Sequence, residues 1–332
     1  MKKEVSKKES DEMDSENGRI PIAIHHDADG ISSAVLLMKS MDKKQSDFET
    51  FFPDVFGSFL DKNSYMVDMT PREGFEGVCY DHHDQHPDKI DYKLIFGHKP
   101  TSALVFEDRF KYLPSNEWWK MAVGCVGDYS VESIPPKVWD SSPSLRDVHT
   151  TVWEEWGELN VQISHYTVYK LIASPINAAC RVGKEHIALD KLFNANRPTD
   201  LLYDEELNSY KVKVQKEVKR VIKDSGKSDN PRLIFPGAGD IGLISFRSKL
   251  RISGIVSSKI HEVFSGNDAK TIIAINETRG NGGKGSIRGN MTGYIASKLS
   301  EAGFATGGHG VAAGFDMNAL PMSYLIDVVR KI

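Results

Sequence analysis

The stretch Ile20-Pro21-Ile22-Ala23-Ile24-His25-His26-Asp27-Ala28-Asp29-Gly30 sets the frame for the rest of the chain. Its first five residues are apolar without a break, the pattern of a strand buried on both faces of a parallel sheet. Gly30 ends it. Alternate residues of a strand point the same way, so His25, Asp27 and Asp29 are expected on one side of its C-terminal tip. One imidazole and two carboxylates that close repel one another, or stay poorly solvated, unless a cation sits among them. The stretch reads as one wall of a metal site, and the other ligands must come from later in the chain.

Composition narrows the class. With 332 residues the chain is long enough for two cores, and 40% hydrophobic with 27% charged residues fits a globular protein. No apolar run approaches the roughly 20 residues that span a bilayer. The opening MKKEVSKKESDEMDSENG has no apolar core of a secretory signal, so residues 1–18 read as a disordered charged tail and the chain as non-secreted and cytoplasmic. Cys79, Cys125 and Cys180 each sit in an apolar context and read as small buried residues. A net charge of −4 excludes a wholly basic surface but leaves room for a local basic groove.

The pattern repeats downstream. Ile31–Lys44 has the spacing of an amphipathic helix after a strand. FETFFPDVF (Phe48–Phe56), SYMVDMT (Ser64–Thr70) and GVCY (Gly77–Tyr80) read as strands, the second ending on Asp68 and the third on Asp81-His82-His83. KLIFGH (Lys93–His98) is a further strand, and TSALVFEDRFKYL and NEWWKMAVGCVGDYS read as helices, the latter carrying Asp128. Strands alternating with helices indicate an α/β fold with a parallel sheet, which binds ligands beyond the carboxyl ends of its strands. The proline- and tryptophan-bearing stretch from 130 to 165 shows no clean period and reads as a loop-rich excursion. Helical patterns follow, the second rich in Lys and Glu. From about Pro231 short strands, glycine-rich turns and helices indicate a second, smaller α/β domain. The resulting division is 19–195, a connecting helix over 196–230, and 231–332.

Read singly, these acidic and imidazole residues have bland explanations: Asp68 ends a strand, Asp128 caps a turn, and His82-His83 packs. Together, four successive element ends deliver only Asp and His behind apolar runs, which favours a site over chance. Carboxylates with imidazoles and no thiolate suit Mn²⁺, Fe²⁺ or Zn²⁺, whereas Mg²⁺ favours an all-oxygen set. Five aspartates and three histidines exceed the needs of one ion, so two metals with a bridging carboxylate are the natural count. Later segments look built for phosphate: SPINAACR carries Asn177 and Arg181, GSIRGN carries Arg288, and TGGHGVAAGF carries Gly307, Gly308 and His309. Glycines let backbone N–H groups approach an anion, and a guanidinium forks onto it. His86 and His98 lie at looser positions and read as packing residues. Trp118, Trp119, Trp139, Trp153 and Trp156 read as buried before they read as base-stacking.

HHDADG, VDMT, YDHH and VGCVGDYS, in that order, resemble the four metal-binding motifs of the DHH phosphoesterase superfamily. SPINAACR, SIRGN and GGHGVAAGF resemble further motifs of its RecJ branch, the last two in the C-terminal DHH-associated domain, and the resemblance runs from about Ile20 to Phe315. It implies two α/β domains joined by a long helix, an active site in the cleft between them, and two divalent ions, Mn²⁺ first and Mg²⁺ or Co²⁺ as alternatives. It implies His25, Asp27, Asp29, Asp68, His82 and Asp128 as ligands, with Asp68 bridging. Asp81 would orient the adjacent histidines, and His83 would be a ligand or face the scissile phosphate. Arg181, Arg288 and His309, with Gly307 and Gly308, would bind substrate phosphates, and Asn177 would support them. Departures from the RecJ pattern are His25 for an aspartate, Cys180 for the glycine of NAAGR, and Gly289 for a serine.

The activity so implied is a RecJ-like 5′-to-3′ exonuclease on single-stranded DNA, with single-stranded DNA or short oligonucleotides as partners, no membrane, and replication or repair proteins as potential associates. The rivals are a small-substrate enzyme of the superfamily, acting on short oligoribonucleotides, bisphosphonucleosides or cyclic dinucleotides, and an inactive replication or repair scaffold.

Overall fold

Ile20–Ile24 forms strand β1, with all five residues buried. A computed structural model describes residues 18–53, 64–71, 74–83, 86, 91–141, 150–156, 159–165, 167–225, 233–234, 241–264, 271–278, 282–309 and 312–332. The charged tail, except for Gly18, and the end of the strand expected to reach Phe56 lie outside the described residues. The chain divides into two compact units, Met1–Thr150 with His165–Ser209, and Thr151–Ser164 with Tyr210–Ile332.

In the first unit β1 pairs in parallel with β2 (Phe48–Phe51) on one side and β3 (Tyr65–Val67) on the other. β4 (Val78–Asp81) and β5 (Lys93–Phe96) complete a five-stranded, all-parallel sheet in the order β2-β1-β3-β4-β5. β1, β3 and β4 are buried throughout, which is why their sequences run apolar without alternation, whereas β5, at the edge, is partly exposed. The chain leaves β1 toward β2 and returns on the opposite side at β3. At such a reversal the connections diverge and open a crevice at the strand ends.

Helix α1 (Ala28–Ser40) follows β1, and it corrects two expectations. Its first turn contains Asp29, so Asp27 and Asp29 are not alternate positions of a strand. Asp27 is its N-cap, its carboxylate accepting the Gly30 N–H at 2.9 Å. Nor is the helix amphipathic: every residue except Lys39 is buried. It is a central helix, covered by α2 (Thr101–Arg109), α3 (Trp119–Gly127), α5 (Tyr169–Arg181) and α6 (Glu185–Asn194) as well as by the sheet. α4 (Pro136–Ser141) and α7 (Thr199–Leu202) are short helices. On the opposite side of the sheet Ala23, Met66, Met69, Phe75, Cys79 and Tyr92 form a second apolar layer.

The stretch expected to be loop-rich contains β6 (Thr150–Trp156) and β7 (Leu159–His165), paired as a two-stranded sheet. Thr, Val, Trp and Ile favour strands, a signal that Pro135, Pro136 and Pro143 just before them obscure. α8 (Glu205–Ser225) is the long Lys- and Glu-rich helix.

In the second unit β8 (Leu233–Ile234), β9 (Ile241–Phe246), β10 (Thr271–Asn276), β11 (Lys284–Gly289), β12 (Ala305–His309) and β13 (Ala312–Asp316) form a mixed sheet in the order β12-β13-β11-β10-β9-β8. β9 and β10 are parallel, joined through α9 (Ser253–Phe264), and the other described pairs are antiparallel. α10 (Thr292–Glu301) and α11 (Met322–Arg330) cover a core that includes Leu243, Ile273, Ile275, Ile287, Leu299, Phe315 and Leu325. Among the described residues no helix is long and apolar enough to cross a membrane.

Candidate metal centre

Four segments of the first unit deliver the candidate groups. β1 ends at Ile24, and the His25 N–H continues the ladder to Val67 O at 3.3 Å. β3 ends at Val67, and Asp68 N–H donates to Tyr80 O at 2.9 Å. Asp68 holds a left-handed backbone, φ 63°, uncommon for a residue with a side chain. β4 ends on Asp81, placing His82 and His83 beyond the sheet. Asp128 is the C-cap of α3. Positions scattered along the chain thus become one cluster, with convergence arising from strand, turn and helix end together.

Asp68 stands at the middle. Its Oδ2 lies 3.3 Å from His25 Nδ1, and its Oδ1 lies 3.3 Å from His82 Nε2 and accepts from Thr101 Oγ1 at 3.0 Å. Three sets bring potential ligand atoms within 4.8 Å of one another: His25, Asp27 and Asp68; Asp68, His82 and His83; Asp29, His82 and Asp128. Asp68 belongs to two of them. Asp29 reaches the cluster while both its oxygens accept backbone N–H groups at the start of α2, from Thr101 at 2.7 Å and Ser102 at 3.1 Å. Close packing makes this contact: a Cβ on Gly124 would lie 2.7 Å from Asp29 Oδ1 and 2.4 Å from Ser102 Oγ.

Asp81 is wholly buried and turns its oxygens to a different set of partners. Its Oδ1 accepts the N–H groups of His82 and His83 and lies 2.7 Å from His83 Nδ1, which turns His83 Nε2 outward. Its Oδ2 accepts from Thr70 Oγ1 at 3.0 Å and lies 3.2 Å from His86 Nε2. His86 in turn meets the Tyr92 hydroxyl at 2.8 Å. His98 packs edge-on against Phe96.

Burial and mutual charge displace these groups from their ordinary values. Burial, then Asp68, Asp128 and Asp27, pushes the Asp29 carboxyl well above the usual range. Burial and then Asp68 push Asp128 up to about 7. Burial opposes charge on His25 and His82, yet neighbouring carboxylates outweigh it, raising His25 well above its ordinary value and His82 to about 10. Burial would likewise raise Asp68, but His25 and His82 hold it well below. Asp81 is held at about 2 by His83 and His86 against its burial. His25 Nδ1 is buried 2.9 Å from Asp27 Oδ2 without hydrogen-bonding geometry. Carboxyls that retain protons, imidazoles that gain them and a buried nitrogen without a hydrogen bond all fit a divalent ion, which takes deprotonated ligands.

Of the residues expected to bind phosphate, two lie in this unit. Asn177 Oδ1 accepts the Ala28 N–H at 2.8 Å, tying α5 to the start of α1. Arg181 ends α5, and burial pushes its guanidinium below its ordinary value. The second unit holds the others. Arg288 donates from Nε to Ser258 Oγ at 3.2 Å and from Nη1 to Ser286 Oγ and Ile287 O, both at 2.8 Å. Arg288 on β11 and His309 on β12 are both in register with Ala312 of β13, so the three form one row across the sheet. Gly307 and Gly308 precede His309, opposite Gly314 and Ala313. Gly289 has φ 130°, which accounts for glycine where the RecJ pattern has serine.

Thr70, Thr101 and Ser102, which hold the carboxylates of Asp81, Asp68 and Asp29, carry no motif signal of their own. Lys99-Pro100-Thr101-Ser102 is nonetheless a helix-start signal that would have marked an anion site at α2. His26 is a further residue that the motif does not single out; its Nε2 meets Pro53 O at 2.7 Å.

No protein-family model matches this sequence, and neither does any curated protein sequence. Solved structures do match. RecJ in complex with Mn²⁺ from Thermus thermophilus is 17% identical with a TM-score of 0.63, over 95% of this chain and 52% of that one. This chain thus spans about half the length of that protein. Exonuclease RecJ bound to manganese is 18% identical with a TM-score of 0.54, over 97% of this chain and 94% of that one. The DHH domain of a member of the S1p family of ribosomal proteins is 16% identical with a TM-score of 0.57, over 95% and 88%. With its five-stranded parallel sheet, the chain has the fold of these RecJ and DHH-domain structures.

Proposed function

We propose that this chain is a metal-dependent phosphodiesterase of RecJ type, acting as a 5′-to-3′ exonuclease on single-stranded DNA. The observation that carries the reading is Asp68, whose two carboxylate oxygens face His25 and His82 and so fit a bridge between two ions. In this reading His25, Asp27 and Asp68 would hold one Mn²⁺, and Asp29, His82 and Asp128 the other, with Asp68 between the two sets. Such a pair supplies Lewis-acid activation of water and neutralises charge on the phosphoryl group.

The chain's own groups do the rest. Asp81 fixes the His83 ring through Nδ1, and His83 presents Nε2 to an ion or to the phosphate. Arg181, Arg288 and His309, with the backbone of Gly307 and Gly308, would bind substrate phosphates, and Asn177 fixes the start of α1 by accepting the Ala28 N–H. Thr101 and Ser102 keep Asp68 and Asp29 oriented.

The test is hydrolysis of DNA and RNA strands of graded length, labelled at either end, in Mn²⁺. The expected result is stepwise release of nucleotides from the 5′ end of single-stranded DNA, abolished in Asp81→Ala/His82→Ala. Activity confined to di- to pentanucleotides would replace the long-strand reading with a small-substrate one. Turnover unchanged in the double variant would place the chemistry elsewhere.

A further inference from the structure

Tyr129 follows Asp128 directly and stands in the left-handed region, with φ 58°. α3 ends at Gly127 and Asp128 is its C-cap. Tyr129 therefore occupies the position just past the helix where chains favour glycine, because a Cβ is crowded there. The turn is pinned: Tyr129 N–H donates to Val126 O at 3.3 Å, and Ser130 N–H donates to Cys125 O at 2.8 Å. The ring adds little to the core, since the residue is 78% exposed. The Lys170 ammonium lies 3.8 Å from its centroid.

Stability alone would place glycine at this backbone position and a polar side chain on this surface. Tyr129 is neither, and it adjoins Asp128, whose Oδ2 lies 3.8 Å from His82 Nδ1. A cation–π contact with Lys170 is available to a ring on unstrained backbone as well, so it does not account for the left-handed position. A nucleobase accounts for the set. It offers a flat π-face to an exposed ring, and a phosphate beside it meets the charge of Lys170.

We propose that Tyr129 is a stacking platform for the nucleobase adjoining the phosphate at the metal centre, so that nucleotides, rather than phosphate esters at large, are the substrates. The proposal rests on the phosphodiesterase reading above and deepens it. Tyr129 is a specificity-determining residue here, set by the turn after α3.

The test uses the full chain and single-stranded oligonucleotides carrying 2-aminopurine, a fluorescent adenine analogue, as the terminal base at one end or the other. They are titrated in Ca²⁺, so that binding is read without turnover. Wild type and Tyr129→Phe should quench the terminal base at one end. Tyr129→Ala and Tyr129→Gly should not, and should bind about 5- to 150-fold more weakly, the range for one base on one aromatic ring. An oligonucleotide with an abasic residue at that end should bind wild type and Tyr129→Ala equally. Tyr129→Gly should melt a few degrees higher than wild type, since it relieves the left-handed strain, so its lost quenching cannot come from a damaged fold. Absence of quenching in wild type, equal quenching in Tyr129→Ala, or a difference that survives the abasic end overturns the proposal. Quenching as expected without hydrolysis in Mn²⁺ leaves the platform standing and removes the phosphodiesterase reading.

Discussion

At the scale of residues the centre depends on carboxylates with unequal tasks. Asp68 accepts a strained backbone so that its carboxylate can sit between two imidazoles, a position glycine would relax into but could not use. Asp81 lies outside the three ligand sets, yet its two oxygens are engaged by the groups around it: two backbone N–H groups, Thr70, His83 and His86. Held at about 2, it stays ionised at any working pH. Asp81→Asn keeps the volume and removes the charge that orients His83. It should weaken Mn²⁺ binding about 10- to 100-fold, the usual cost of losing a group that orients a ligand, as read by metal titration. Unchanged Mn²⁺ affinity would separate Asp81 from the centre.

At the scale of elements α3 links stability to the site. Its far end carries Asp128, and its first turn carries Lys120, which is fully buried. Lys120 donates to Glu117 and, at 3.3 Å, to Phe193 O at the end of α6. Lys39 of α1 stands 3.7 Å from the same Glu117 and 4.0 Å from the Phe193 ring. Removing one member of a buried ion pair strands the other, so Lys120→Ala should cost about 3–5 kcal/mol in chemical denaturation. Lys120→Met with Glu117→Gln should recover most of that loss. Burial, opposed by Glu117, lowers Lys120 from 10.5 to about 8. Between these values the unfolded chain binds the proton and the folded one does not, so stability should rise with pH from about 8 to 10.5. Below that window the penalty stays constant, and the double variant should remove the slope.

At the scale of the whole molecule each unit has its own sheet and core, and among the described residues the candidate ion ligands all lie in the first. Mn²⁺ should therefore protect amides at the tips of β1, β3 and β4 and in α1 and α3 in hydrogen exchange, leaving the sheet of the second unit unchanged. At 100 times its Kd a ligand stabilises by about 2.7 kcal/mol, which sets the expected size of the thermal shift. The shift should grow from pH 6 to pH 8, because Asp128, at about 7, and His82, at about 10, release protons when they bind an ion. A shift independent of pH would mean that these two groups are not ligands.

The amino-acid sequence alone determined the donor types, their order, the parallel α/β class and the placement of Asp and His behind buried apolar runs. Those properties lie within a few residues of each motif, in the period of the apolar pattern and the residue at its end. How the groups converge was decided only in three dimensions. Asp27 caps a helix and Asp29 sits inside it, although alternation along a strand also puts both on one side. Asp29 is held by N–H groups 72 and 73 residues away, Asp68 by a hydroxyl 33 away, and Ala28 by a side chain 149 away. The burial of α1 on all sides and of Lys120 depends on which helices cover them. No local period encodes a partner at such a separation, because chain topology decides which side chains meet.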